Sequence, residues 1–154
     1  MKQYIGTKVI QAEPAFRVSC KDFKNVIHPK TYAVPEDRTG QTWEDGYKVV
    51  YPDGYVSWSP KEVFEAAYRQ TDAMNFGLAI DAMKKGLKVA RHGWNGKGIY
   101  LELQVPDEHS KMTLPYIYIV TNGLITDNPH APKGCVPWLA SQTDMLADDW
   151  YIVE

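Results

Sequence analysis

The densest chemistry in the sequence lies in the run His92-Gly93-Trp94-Asn95-Gly96-Lys97-Gly98, preceded by Arg91. Glycine lets backbone N–H groups approach a ligand closely and form an anion-binding nest. In that setting Trp94 can stack on a base, Asn95 can read a base edge or a ribose, and Lys97 with Arg91 can neutralise phosphate. The competing structural reading is a hairpin turn with Trp94 folded onto a sheet, and the residue types alone leave the two even. A second segment, Trp138-Leu139-Ala140-Ser141-Gln142-Thr143-Asp144, joins another indole to three hydrogen-bonding side chains and a carboxylate suited to ribose hydroxyls. Here a buried tryptophan followed by a helix cap is the favoured reading. The candidate ligand-binding residues are therefore Arg91, Trp94, Asn95, Lys97, Trp138, Gln142, Thr143 and Asp144.

Several chemistries are missing. There is no Walker loop, dinucleotide fingerprint, His-Glu-x-x-His, nucleophile elbow or deaminase signature, so no catalytic residue, metal or cofactor is expected. The histidines His28, His92, His109 and His130 are scattered without ligand spacing. Asp148-Asp149 could hold a metal or a sugar hydroxyl, but adjacent carboxylates before a strand are more often solvated. Cys20 and Cys135 share no CxxC spacing and read as free thiols. Basic residues form no continuous stripe, which argues against a long nucleic-acid groove and for a compact phosphorylated ligand.

The elements that would position these residues are legible in outline. The chain has 154 residues, 44% hydrophobic and 23% charged, with a net charge of −2, enough apolar material for a core. No apolar run reaches the ~20 residues of a membrane span and no leader pattern opens the chain, so a cytoplasmic protein is expected. Punctuation near residue 72 divides it into 1–72 and 73–154. In the first half, Tyr4 to Val18 reads as one or two strands broken at Glu13-Pro14, and Cys20 to Asp45 as a long loop. Tyr47–Tyr51 and Tyr55–Trp58 form a hairpin around Asp53-Gly54. Ser59-Pro60-Lys61-Glu62 reads as a capping box for a helix to Tyr68 that buries Val63, Phe64 and Ala67.

In the second half, Asn75 caps a helix whose Phe76, Ala79, Ile80 and Met83 share one face, closed by Lys84-Lys85-Gly86. Strands follow at Leu87–Arg91, Ile99–Leu103 and Tyr116–Val120, the last pairing with Leu124–Thr126 across Asn122-Gly123. Ser141 caps a helical turn, and Trp150–Val153 ends the chain as a strand. The fold class is α+β, an antiparallel sheet with a packed helix, preceded by a small α+β module. Halves of this size bury little core alone, so docking between them or self-association is expected.

Three ordered blocks carry a family resemblance: Asn75-Phe76-Gly77; Val89-Ala90-Arg91, Gly93-Trp94-Asn95-Gly96-Lys97-Gly98; and Pro137-Trp138-Leu139-Ala140-Ser141-Gln142-Thr143-Asp144-Met145-Leu146-Ala147 with Asp149-Trp150. Over residues 73–154 the chain resembles the second Thoeris anti-defence family, phage proteins that act as sponges for cyclic nucleotide immune signals. The resemblance implies a homotetramer in the infected host's cytoplasm. It would bind, without cleaving, a glycocyclic ADP-ribose signal made by a bacterial TIR-domain enzyme, with cyclic oligonucleotides held at separate sites in some relatives. Residues 1–72, including Ile5-Gly6-Thr7-Lys8 and Gly54-Tyr55-Val56-Ser57-Trp58-Ser59-Pro60, look like a segment of phage proteins of unassigned role that the shortest family members lack. A nucleotide-signal hydrolase using Asp144 or Asp149, and a protein-binding adaptor with a tryptophan hot spot, are the alternatives from other classes.

Overall fold

The computed structural model describes residues 8–21 and 23–154. The expected strand start at Tyr4, and Ile5-Gly6-Thr7, lie outside them. The chain forms two compact units that divide between Tyr68 and Arg69. Both are built on antiparallel sheets with short helices, an α+β fold as expected.

The first unit holds β1 (Gln11–Cys20), β2 (Phe23–Pro29), β3 (Gln41–Val50), β4 (Val56–Pro60) and α1 (Lys61–Ala67), with sheet order β2-β1-β3-β4. Pro14 does not break the first strand. It pairs with Tyr47 of β3, and its carbonyl accepts from Lys30 N at 3.3 Å, just past the end of β2. Amide and carbonyl of one strand residue point to the same side, so the donor that proline lacks faces the place where β2 has run out. The expected loop from Cys20 to Asp45 is likewise shorter. Phe23–Pro29 pairs with β1, matching Val26 to Val18 and His28 to Phe16, which confines the loop to residues 30–40.

The Asp53-Gly54 hairpin forms as expected. Gly54 takes φ +83°, Asp53 Oδ1 accepts from Tyr55 N at 3.0 Å, and Val50 pairs with Val56. The capping box does not form. Ser59 and Pro60 extend β4 opposite Tyr47 and Gly46, so the serine hydroxyl is not available to the helix, and Pro60 stands at the N-cap without a side-chain bond. Nor does α1 bury an apolar face. Val63 is 60% exposed and Ala67 is exposed, while half-buried Phe64 stacks between Tyr47 and Tyr68 at 4.1 and 4.9 Å.

The second unit holds α2 (Phe76–Lys84), β5 (Lys88–Arg91), β6 (Tyr100–Gln104), β7 (Tyr116–Val120), β8 (Cys135–Pro137), α3 (Gln142–Met145) and β9 (Trp150–Val153). Its sheet runs β8-β7-β6-β5-β9, so the last strand lies beside β5. Asn75 caps α2 by accepting from Leu78 N at 2.9 Å, and Gly86 past its C-terminus adopts φ +82°. Both agree with the sequence. Ala79, Ala82 and Met83 bury against Val89, Leu101 and Trp150, with Phe76 and Ile80 packed alongside.

Asn122-Gly123 makes a turn, with Leu124 N donating to Thr121 O at 3.0 Å, but not the expected hairpin. β7 pairs with Cys135–Pro137 instead, and Ile125 bridges to Lys97. The reason is a backbone crossing at glycines. A Cβ on Gly98 (φ +76°) would collide with the Gly123 carbonyl, so the two glycines let the loops meet and draw Leu124–Thr126 away from β7.

Leu101 is fully buried beneath α2, so Leu101→Ala should cost about 2–5 kcal/mol. Val63→Ala, on an exposed helix face, should change stability by less than about 0.5 kcal/mol. Urea unfolding of the two variants checks the contrast.

Candidate functional site

Arg91 ends β5, opposite Trp150 of β9. That register brings Asp149, one residue before β9, beside the guanidinium: Arg91 Nε donates to Asp149 Oδ1 at 2.7 Å and Nη2 to Asp149 Oδ2 at 3.4 Å. Nη1 donates to Asp144 Oδ1 at 2.7 Å. The arginine side chain is 10% exposed and Asp144's 12%, so this is a charge cluster largely withdrawn from water.

Asp144 is saturated. Its Oδ1 also accepts from Trp94 Nε1 at 3.0 Å, and its Oδ2 accepts from Ser141 N at 3.0 Å and Ser141 Oγ at 2.6 Å. Ser141 Oγ in turn accepts from Asp144 N, completing the capping box of α3. Burial pushes the Asp144 carboxyl upward, but hydrogen bonds from Ser141, Trp94 and Arg91 outweigh it and bring it down to about 2. The Arg91 hydrogen bond likewise lowers Asp149, against burial and with help from Gly93 N–H.

The glycine loop is held by this cluster. Gly93 N donates to Asp149 Oδ2 at 2.7 Å, and a Cβ on Gly93 would stand 2.6 Å from that oxygen. Lys97 Nζ closes the loop from the other end, donating to His92 O at 2.7 Å and Trp94 O at 2.8 Å. Trp94 packs edge-on to Trp150 at 5.5 Å and tilted to Trp138 at 6.2 Å, with Phe76 completing the aromatic group. Trp150 is fully buried, and its Nε1 donates to Asp144 O at 3.0 Å.

The structure thus gathers Arg91, Trp94, Asp144 and Trp138 into one packed, hydrogen-bonded group. Asn95, Lys97, Gln142 and Thr143 lie exposed on the loop and the short helix that this group anchors. The sequence read Ser141 to Asp144 as a helix cap, which the capping box bears out, but it did not place Phe76 and Trp150 in the aromatic group. Asp149, read from the sequence as a metal, sugar or solvated carboxylate or as a candidate hydrolase residue, has Arg91 and Gly93 as its partners. Among the described residues no cluster of three His, Cys, Asp or Glu could hold a metal, and Cys20 and Cys135 are free.

A family model for the Thoeris anti-defense 2-like domain matches residues 74–153, which include the whole cluster and both loops. The chain belongs to that family, a family of anti-defence proteins. Among its relatives is the Thoeris anti-defense 2 protein of Bacillus phage SP01, 38% identical over 84 residues that cover 52% of this chain and 94% of the relative. No described helix is long and apolar enough to cross a membrane.

The acid limb of stability reports on the cluster. Because the Asp144 carboxyl sits below its ordinary 3.8 when folded, its contribution is complete above that value and disappears as pH falls through about 2. This group should account for ~2 kcal/mol of the stability lost on that descent. Asp144→Asn should remove that part of the slope, as measured by urea unfolding from pH 5 to pH 2.

Proposed function

We propose that this protein is a phage anti-defence sponge that binds a glycocyclic ADP-ribose immune signal and holds it intact, lowering the free signal so that the downstream effector stays off. Family membership supports the anti-defence role. The observation that carries the non-cleaving reading is the saturation of the carboxylates. Asp144 accepts four hydrogen bonds and is ionised at neutral pH, and Asp149 is held by Arg91 and Gly93. A general acid needs a proton at working pH, and a general base needs a lone pair facing the substrate. Asp144 offers neither.

On this reading the site residues take two roles. Arg91, Trp94 and Asp144 form the frame, with Trp138 packed against it. Exposed Asn95, Gln142 and Thr143 supply contacts to ribose or base, Lys97 supplies charge for the pyrophosphate, and the flanking indoles offer stacking surface. Phosphate falls to Lys97 and the loop amides because two carboxylates already neutralise Arg91. Assembly as a homotetramer completes the proposal, and further sites for cyclic oligonucleotides belong to it. Exposed Leu139 (91%) and Leu146 (79%) flank α3 and give subunits apolar surface to cover.

Protein incubated with the glycocyclic ADP-ribose signal and then heat-denatured should release it intact in stoichiometric amount, as read by mass spectrometry. Recovery of a linear or hydrolysed product would establish a hydrolase instead. Asn95→Ala and Gln142→Ala should each weaken binding by about 0.5–1.5 kcal/mol in calorimetry while leaving the fold unchanged.

A further inference from the structure

The first unit carries an aromatic surface that the sponge reading does not use. Register places Phe16 of β1 opposite His28 of β2 and Asp45 of β3, and Val18 opposite Val26 and Trp43. Phe16, His28 and Trp43 therefore share one sheet face. Tyr32, from the loop after β2, lays its ring on His28 at 4.0 Å. The His28, Tyr32 and Trp43 planes lie within 26° of one another, and Phe16 meets Trp43 edge-on at 5.7 Å. These rings are not a sealed core. Tyr32 is 43% exposed, and Phe16, His28 and Trp43 are only half-buried.

Unmatched polar groups border the rings. The Arg38 guanidinium lies 6.0 Å from the Trp43 ring centroid, and its one hydrogen bond runs from Nε to Pro35 O, leaving both Nη groups without a partner among the described residues. The Tyr32 hydroxyl and the His28 ring nitrogens are likewise unpartnered there. Lys30 differs: its ammonium lies over Phe16 and is ion-paired with Asp45. The face thus offers near-parallel π-surfaces, hydrogen-bonding groups at their rim and one unneutralised guanidinium.

We propose that this face is a stacking platform for one nucleobase with its adjacent phosphate, separate from the site in the second unit. The base lies against Tyr32 and Trp43, and Arg38 takes the phosphate through its paired Nη donors. A protein hot spot would also use aromatics, but it does not require rings of common inclination or a free guanidinium at their edge. A footprint of one nucleotide agrees with a unit whose basic residues form no long stripe.

The test is fluorescence anisotropy of a labelled five-residue thymidine oligonucleotide with the full chain at low salt, with unlabelled AMP as competitor. The probe should bind, and Tyr32→Ala should weaken it by about fivefold or more. Arg38→Gln should weaken it and lower the slope of log affinity against log salt by about 0.7, the value for one phosphate on a single strand. Displacement by AMP identifies a free nucleotide as sufficient ligand; displacement by unlabelled oligonucleotide alone identifies a strand, and either supports the platform. One equivalent of glycocyclic ADP-ribose, enough to fill the sponge site, should leave the probe bound. Failure of the full chain to bind at about 200 µM, equal binding by both folded variants, or displacement of the probe by that one equivalent would each overturn the proposal. The first two outcomes leave the sponge reading untouched, because heat release of intact signal is measured on the other unit's ligand.

Discussion

A guanidinium that is only 10% exposed must find its counter-charges inside the protein, and Arg91 finds two. Removing an ion from water costs several kcal/mol unless partners replace its hydration, and a partner lost from such a group leaves an uncompensated charge. Asp149 therefore has to stay at the head of β9, and Asp144 in the first turn of α3. Because Gly93 N–H and Trp94 Nε1 donate to those same carboxylates, the conformation of the glycine loop follows from the ion pairing. Two stretches 50 to 58 residues apart in sequence meet here: the end of β5 with the loop after it, and the Ser141 cap with the chain before β9.

The aromatic group supports the cluster from below. Trp150 fills the core beneath α2 and reaches Asp144 O through its indole N–H, so the apolar packing and the polar network share one residue. A large ring buried with its N–H matched gives both area and orientation. The loop is consequently presented on a rigid base, with its exposed side chains free to differ in chemistry from the frame. Prior ordering of this kind reduces the entropy lost when a small ligand is gripped, which suits the proposed binding role.

Much of the second unit was readable from local rules. Asn75, Gly86, Ser141 with Asp144, and the apolar run Trp150–Val153 each satisfy a constraint confined to a few neighbouring residues. The misreadings have a common origin in pairing. Pro14 is tolerated because β2 ends beside it, Ser59 fails as a cap because β4 claims it, and Asn122-Gly123 makes no hairpin because β7 takes Cys135–Pro137. The site shows the same division. The indole loops stood out by composition, whereas Asp149 as the partner of Arg91 depends on β5 and β9 being neighbours, 58 residues apart. In the first unit, the aromatic face emerges only once β2 is recognised as a strand.

The claim on which the site rests is that the Asp149 carboxylate holds the glycine loop through the Gly93 amide. Amide hydrogen exchange at Gly93, followed by nuclear magnetic resonance in the intact chain and in Asp149→Asn, tests it most directly. The account predicts a slowly exchanging Gly93 N–H that becomes markedly faster in the variant, while amides of β6 stay protected in both. A Gly93 amide exchanging at the rate of an unstructured peptide in the unaltered protein would contradict it.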